Sequence, residues 1–178
     1  MIPEAGLEET EHGVVPRGEG WFVVNAKDAQ WHQTEGRSAV CFFEGDVGFD
    51  QLGININVLE PGGAMALYHW QADQEDFLVL SGECLLLVEE QERRLKAWDF
   101  FHCPTGTKHV LVGAGDGPCV IVAVGARAHW TPDGWGAYVP EEAARPYDAS
   151  VDEETSDMEK AYAGSPPRRV TRYRDGWL

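Results

Sequence analysis

Between Gly20 and about Ala126, short apolar runs alternate with Gly, Pro and acidic clusters. WFVVNA, SAVCFFE, LGININVLE, MALYHWQ, EDFLVLS, ECLLLVEE, RRLKA, DFFHCP, KHVLV and PCVIVAVG read as strands or half-strands. Many short strands at regular spacing predict an all-β sandwich or barrel. Within LGININVLE the alternation has a period of two, so Ile54, Ile56 and Val58 leave one face of the strand and Asn55 and Asn57 the other.

The flanks are different. Residues 1–19 are acidic and poor in large apolar groups, which predicts a mobile or loosely docked arm. After Arg127 the period is lost in AHWTPDGWGAYVPEEAARPY, whose aromatics suit the covering of a core edge. Ser150 with Glu153 three positions on forms a capping box, acids fill the first turn, and Gly164, Pro166 and Pro167 stop the element, so one helix is expected at about 151–163. The end of the chain, RRVTRYRDGWL, concentrates four arginines, and on so acidic a chain it is expected to dock on its own barrel or on a dimer partner. The expected organisation is an N-terminal arm at 1–19, a barrel at 20–126 and a C-terminal extension at 127–178.

Composition narrows the function classes. A chain of 178 residues buries enough surface to fold without disulfides. Its four cysteines (Cys41, Cys84, Cys103, Cys119) lack CxxC spacing and read as buried reduced thiols, not as a zinc ribbon. The net charge of −16 repels polyanions, which argues against nucleic acid or an anionic membrane as partner. No apolar run approaches the roughly 18 residues of a membrane span, and the first residues are acidic where an export signal is basic, so a cytoplasmic location is expected.

One stretch carries chemistry. In Gly63-AMALY-His69-Trp-Gln71-ADQ-Glu75-DFLVLS-Gly82, His69 and Gln71 leave the same face of a strand. Glu75 opens the next strand at the end of a face shared with Phe77 and Val79, and a carboxylate buried there needs a cation or several donors. A second segment, Pro104-Thr-Gly106-Thr-Lys-His109, can offer His109 to the same space. Two imidazoles and one carboxylate form a facial ligand set suited to Fe, Mn, Co or Ni and compatible with Zn. Trp70, between two ligand candidates, must face the other side of its strand.

These two segments resemble the metal-binding motifs of the cupin family. The first family motif, G-x5-H-x-H-x3-E-x6-G, is matched at Gly63, His69, Glu75 and Gly82, with Gln71 in place of the second His. The second, G-x5-P-x-G-x2-H-x3-N, is matched at Pro104, Gly106 and His109, with Trp98 in place of the leading Gly and Gly113 in place of the Asn. The resemblance covers about residues 50–125. It implies a double-stranded β-helix, a jelly-roll barrel, to which the residues outside it add a short C-terminal helix and an extended arm at each end. It further implies one divalent metal ion (Fe, Mn, Zn, Ni or Co) on His69, Glu75 and His109, with Gln71 as a weaker fourth ligand, and a homodimer.

Phe77, Val79, Phe101 and His102 are candidates for lining the cavity. His129, Trp130, Trp135 and Tyr138 suit either a lid over one barrel end or the simpler covering of an edge. Cys103 lacks the basic surroundings that activate a nucleophile. The expected activity is that of a metal-dependent enzyme on a small oxygen-bearing metabolite, a dioxygenase-type oxidoreductase first. A sugar or sugar-phosphate isomerase, or a non-catalytic binding module, is the alternative. An isomerase would want a basic group for phosphate, and Lys108 and Arg127 are the candidates near a barrel end.

Overall fold

The computed structural model describes residues 1–132 and 134–178, and its strands dominate. They are β1 (Gly6–Thr10), β2 (Gly13–Arg17), β3 (Trp31–Gln33), β4 (Ala39–Cys41), β5 (Leu52–Leu59), β6 (His69–Gln71), β7 (Glu75–Ser81), β8 (Glu83–Val88), β9 (Gln91–Lys96), β10 (Phe100–Cys103), β11 (His109–Ala114), β12 (Cys119–Ala126), β13 (Gly136–Tyr138) and β14 (Arg169–Thr171). Among the described residues the single α-helix, α1, is Met158–Ala161, and a 3-10 helix runs over Glu142–Tyr147.

Two antiparallel sheets face each other in a jelly roll. The larger has the order β10-β7-β12-β5-β4-β3-β14 and the smaller β13-β6-β11-β8-β9. Between them Leu59, Phe77, Val79, Leu86, Leu111 and Ile121 form the central core. Burial of such side chains stabilises by about 1.5–3 kcal/mol each, which is what holds the two sheets together without a disulfide.

The alternation read in β5 resolves in an informative direction. Val58 and Ile56 pack outward, with Trp31, Ala39 and Cys41, under the C-terminal Trp177. Asn57, paired with Ile121 and Val40, therefore shares the inner face with Leu59, and it is buried, its amide donating to the side chain of Asn55. The polar row faces the barrel interior, and the apolar row is needed outside because a second apolar layer covers it.

Three expectations are corrected. Residues 1–19 are not a loose arm: β1 and β2 form a hairpin across the turn at Glu11 and His12, with Val15 and Pro16 buried. WFVVNA is not a strand, since only Trp21 makes a bridge, to Glu4. The helix is shorter than 151–163 because its first half is held extended. Ser150 Oγ accepts from the Glu141 N–H and so does not cap a helix, Val151 is buried among Leu67, Trp135 and Tyr138, and Thr155 exchanges main-chain bonds with Tyr138. The helix then starts at Asp157, whose carboxylate accepts from Lys160 N–H at 3.1 Å.

The extension completes both sheets. β13 adds to β6 and β14 adds to β3, so each covers an edge that would otherwise be open. Trp177 stacks against Trp31 at 5.1 Å between ring centroids, and Arg172 donates to the carbonyls of Glu11 and Thr10, which docks the tail on its own barrel.

Both departures from the second family motif have a backbone account. At Gly113 a Cβ would sit 2.2 Å from the Glu60 carbonyl oxygen, so the close pairing of this strand with the 60–63 turn leaves no room for Asn. At Trp98, where the motif carries Gly, the backbone is left-handed (φ 75°) and the indole is 74% exposed, so a bulky residue sits in a glycine conformation with little packing in return.

Candidate metal centre

His69 is the first residue of β6 and His109 the first of β11, and the two are register partners, which brings their rings to 4.8 Å between centroids. Glu75, the first residue of β7, belongs to the facing sheet and pairs there with Gly125. Its Oε2 lies 3.7 Å from His69 Nε2 and 3.5 Å from His109 Nε2. Three ligand atoms, one from each residue, lie within 4.8 Å of one another.

Hydrogen bonding fixes which nitrogens face the centre. His69 Nδ1 sits 2.8 Å from the carbonyl oxygen of Leu67 and His109 Nδ1 3.1 Å from that of Thr107, so each Nδ1–H donates to the carbonyl two residues earlier. Both Nε2 lone pairs then point at the carboxylate. Glu75 Oε2 is buried and meets no hydrogen-bond partner among the described residues. Three acceptors confront one another, an arrangement that is repulsive unless a cation sits between them. With metal–ligand bonds of about 2.1 Å, neighbouring ligand atoms lie about 3.0 Å apart at right angles and about 3.4 Å apart in a tetrahedron, so the two carboxylate–imidazole separations need only a small contraction. The donor set thus fits a divalent ion.

The surroundings keep His109 neutral and both imidazoles oriented. Burial, then the facing His69, push the pKa of His109 down to about 4. Cys103 Sγ lies 3.4 Å from His109 Nδ1, and burial, then the Glu75 charge, push its thiol up to about 12, so it remains a thiol and supports the ring. Phe77 and Phe101 stack on each other and press on His109 at 5.2 and 5.8 Å, while Val79 continues the inner face below Phe77. Gln71 follows His69 on the same face, its amide nitrogen placed 3.5 Å from His69 Nε2. Its amide thus reaches the rim of the cluster.

His102 is a correction. In β10 the inward residues are Phe101 and Cys103; His102 faces out and is tied to Asp76 at 2.7 Å. Strand alternation places it off the cavity wall. Of the two basic groups considered for phosphate, Lys108 is exposed, and Arg127 is clamped by both oxygens of Glu44 and by the Phe49 carbonyl. Arg127 is therefore not free to meet a ligand beside the cluster.

Residues outside the motifs complete the wall. Tyr138 and Trp135 lie 5.9 and 6.1 Å from the His69 ring; His129 is exposed and is anchored by its N–H and Nδ1 on the two oxygens of Asp73. Trp135 and Tyr138 were legible as aromatics covering an edge, and they do so while walling the site. Trp70 packs on the opposite face of the smaller sheet with Tyr68, Leu87 and Val112.

A jelly roll of two facing antiparallel sheets, with two imidazoles and a carboxylate converging between them, defines a class, the small β-barrels with a candidate metal site. Residues 55–125 match the Cupin_2 family, the cupin domain, so this part of the chain is a small domain of the cupin superfamily. Among solved structures, a cupin of the RmlC-like kind from Shewanella frigidimarina is 17% identical with a TM-score of 0.51, covering 60% of this chain and 91% of that one. At that identity the likeness speaks for the fold alone. A protein of Acidithiobacillus ferrooxidans with the provisional name sugar phosphate isomerase is 26% identical (TM-score 0.48), covering 52% of this chain and 60% of that one. The DMSP lyase of Ruegeria pomeroyi is 24% identical (TM-score 0.46), covering 53% of this chain and 49% of that one. The chain therefore spans less than two thirds of these last two. No curated protein sequence shows significant similarity to it. No helix among the described residues is long and apolar enough to cross a membrane.

Proposed function

We propose that the protein is a metal-dependent enzyme acting on a small oxygen-bearing metabolite, with dioxygenase-type oxidation as its reaction. One observation carries this reading: two Nε2 lone pairs and an unpartnered carboxylate oxygen face one another in the barrel interior. His69, Glu75 and His109 would hold the ion, and Gln71 would stand beside it as a weak ligand. When bound, such an ion supplies Lewis acidity and, as Fe(II) or Mn(II), redox chemistry with O2. Three protein ligands leave positions for a substrate with adjacent oxygens.

The chain's own residues do the rest. Leu67 and Thr107 carbonyls hold the tautomers that keep both Nε2 atoms available. Phe77, Phe101, Trp135 and Tyr138 wall the centre with aromatic surface, which limits water there. Glu75 serves as a ligand and not as a base, because its free oxygen points at the two imidazoles.

The test has two readouts. Protein purified without chelators is expected to carry one divalent metal per chain by elemental analysis, and His69→Ala to lose it. Anaerobic loading with Fe(II), followed by oxygen-uptake assays over catechols, enediols and β-diketones, is expected to find a substrate. Stoichiometric metal with no oxygen uptake for any metal or substrate would reject the dioxygenase reading while leaving the metal site standing.

A further inference from the structure

A second cavity, of about 400 Å³, opens on the same concave face of the larger sheet and lies apart from the three candidate ligands. Val40 and His32 are register partners there, and Val170 of β14 pairs with His32, so these side chains continue the inner row that begins at Asn57. Met65 joins this lining to the central core. The segment after α1, through Tyr162, Ser165 and Arg168, forms the opposite wall.

Two arginines, Arg37 and Arg168, line this space. Arg37 stacks on Tyr162 at 5.5 Å and donates through one terminal nitrogen to the Asp148 carbonyl at 2.6 Å, with Ser165 Oγ at 3.4 Å. Its other terminal nitrogen is buried and has no hydrogen-bond acceptor among the described residues. A buried guanidinium N–H without an acceptor costs more than an ordinary unmade bond, so the site is suited to an incoming anion. Arg168 stacks on Phe42 at 5.4 Å and lines the same cavity. One carboxylate, Glu159, stands on the exposed rim. On a chain of net charge −16, two arginines converging on one apolar-floored cavity are a local reversal of sign.

We propose that this cavity binds the anionic head, carboxylate or phosphate, of a small molecule whose apolar body lies on Val40, Met65 and Tyr162. Arg37 holds the head through its free N–H, which a turn of the guanidinium uncovers to the cavity, and Arg168 closes over it from the tail. The cavity also communicates with the metal centre. Tyr162 Oη accepts from Leu67 N–H at 3.2 Å, and the carbonyl of that same Leu67 holds His69. The Tyr162 ring meets Tyr138 at 5.4 Å, and Tyr138 meets His69 at 5.9 Å. A ligand ordering Tyr162 therefore acts on the carbonyl that orients a candidate metal ligand.

Phenyl phosphate, phenylacetate and the uncharged 2-phenylethanol are the probes, titrated at millimolar concentration into the full chain stripped of metal and dialysed free of chelator. Amide and arginine Nε–H shifts in heteronuclear NMR are the readout, so the outcome does not depend on whether the metal reading is right. Saturable shifts at residues 37, 162 and 168 are expected with one or both anions, and binding at least about tenfold weaker for the alcohol, the loss of one charge-assisted contact. The stronger of the two anions identifies the head group. Arg168→Gln, an exposed position, is expected to weaken the anion by about five- to tenfold without unfolding the chain; Arg37→Lys keeps the charge while losing the fork, and should weaken it likewise. Equal binding of anion and alcohol, binding unchanged in Arg168→Gln, or no saturable shift with either anion would overturn the proposal.

Discussion

Replacing Glu75 by Gln separates a metal centre from a merely structural polar cluster, because the two readings predict opposite signs. In the metal-free protein the carboxylate oxygen faces two Nε2 lone pairs at 3.5 and 3.7 Å and has no donor among the described residues. A buried acceptor left unsatisfied costs about 1–3 kcal/mol, and the side chain is 13% exposed, which places the cost here toward the lower end, about 1–2 kcal/mol. Gln has the same shape, carries no charge, and can turn its NH2 toward the imidazole nitrogens. Metal-free Glu75→Gln should therefore be more stable than wild type by about 1 kcal/mol, read as a raised urea midpoint at unchanged slope. With metal the order reverses. Wild type gains about 4 kcal/mol when free metal is a thousandfold above Kd, whereas the variant, with one anionic ligand gone, gains far less. Calorimetric titration of the same samples should show metal affinity lower by at least about tenfold. A variant that is less stable without metal and binds metal as tightly as wild type would refute the reasoning.

Other consequences follow from particular contacts. Acidifying the metal-free protein should destabilise it: burial holds His109 near 4 against 6.5 in the unfolded chain, so the unfolded state takes up the proton first. Stability is complete above about pH 6.5 and is lost as the pH falls toward 4, by about 3 kcal/mol in all, with His109→Gln flattening that slope in urea melts. Trp98→Gly should raise stability by about 1 kcal/mol in thermal or urea unfolding, since it removes a side chain from a left-handed backbone where it is 74% exposed. Trp177→Ala should cost about 3 kcal/mol by uncovering Trp31, which is fully buried beneath it. Light scattering at micromolar concentration tests the homodimer expected from the cupin resemblance. Because the tail docks on its own barrel, truncation after residue 148 should lower stability and leave the number of chains per particle unchanged.

How much was legible depended on whether the signal was local. His69, Glu75 and His109 could be read because they open strands β6, β7 and β11, and strand phase dictates which side chains share a face. The same phase in β5 separated Asn55 and Asn57 from Ile54, Ile56 and Val58 but could not say which set looked inward, since that depends on a second apolar layer contributed by Trp31 and Trp177, more than a hundred residues apart in sequence. The helix expected from Ser150 failed for a related reason. Its capping chemistry was correct in isolation, yet Ser150 found the Glu141 N–H, and Val151 and Thr155 found partners on the Tyr138 side of the barrel. The hairpin at the N-terminus carries almost no apolar alternation in GLEET, so its pairing partner and not its own composition makes it a strand.

The candidate site also shows why the loss of the second motif histidine need not dissolve the centre. Each remaining imidazole is oriented by the carbonyl two residues earlier in the chain, Leu67 for His69 and Thr107 for His109, so its aim comes from the backbone of the turn that delivers it. Residue 71 takes no part in either of these carbonyl contacts; its amide meets His69 only at Nε2, at 3.5 Å. Register then does the remaining work: His69 and His109 are direct partners across β6 and β11, and Glu75 arrives from the opposite sheet. Gln71 is left free to vary in affinity for the ion without disturbing the three that define its position. The same logic gives the neighbouring arginine cavity its reach, because Tyr162 binds the N–H of Leu67 while the Leu67 carbonyl aims His69. One main-chain residue thus belongs to both sites.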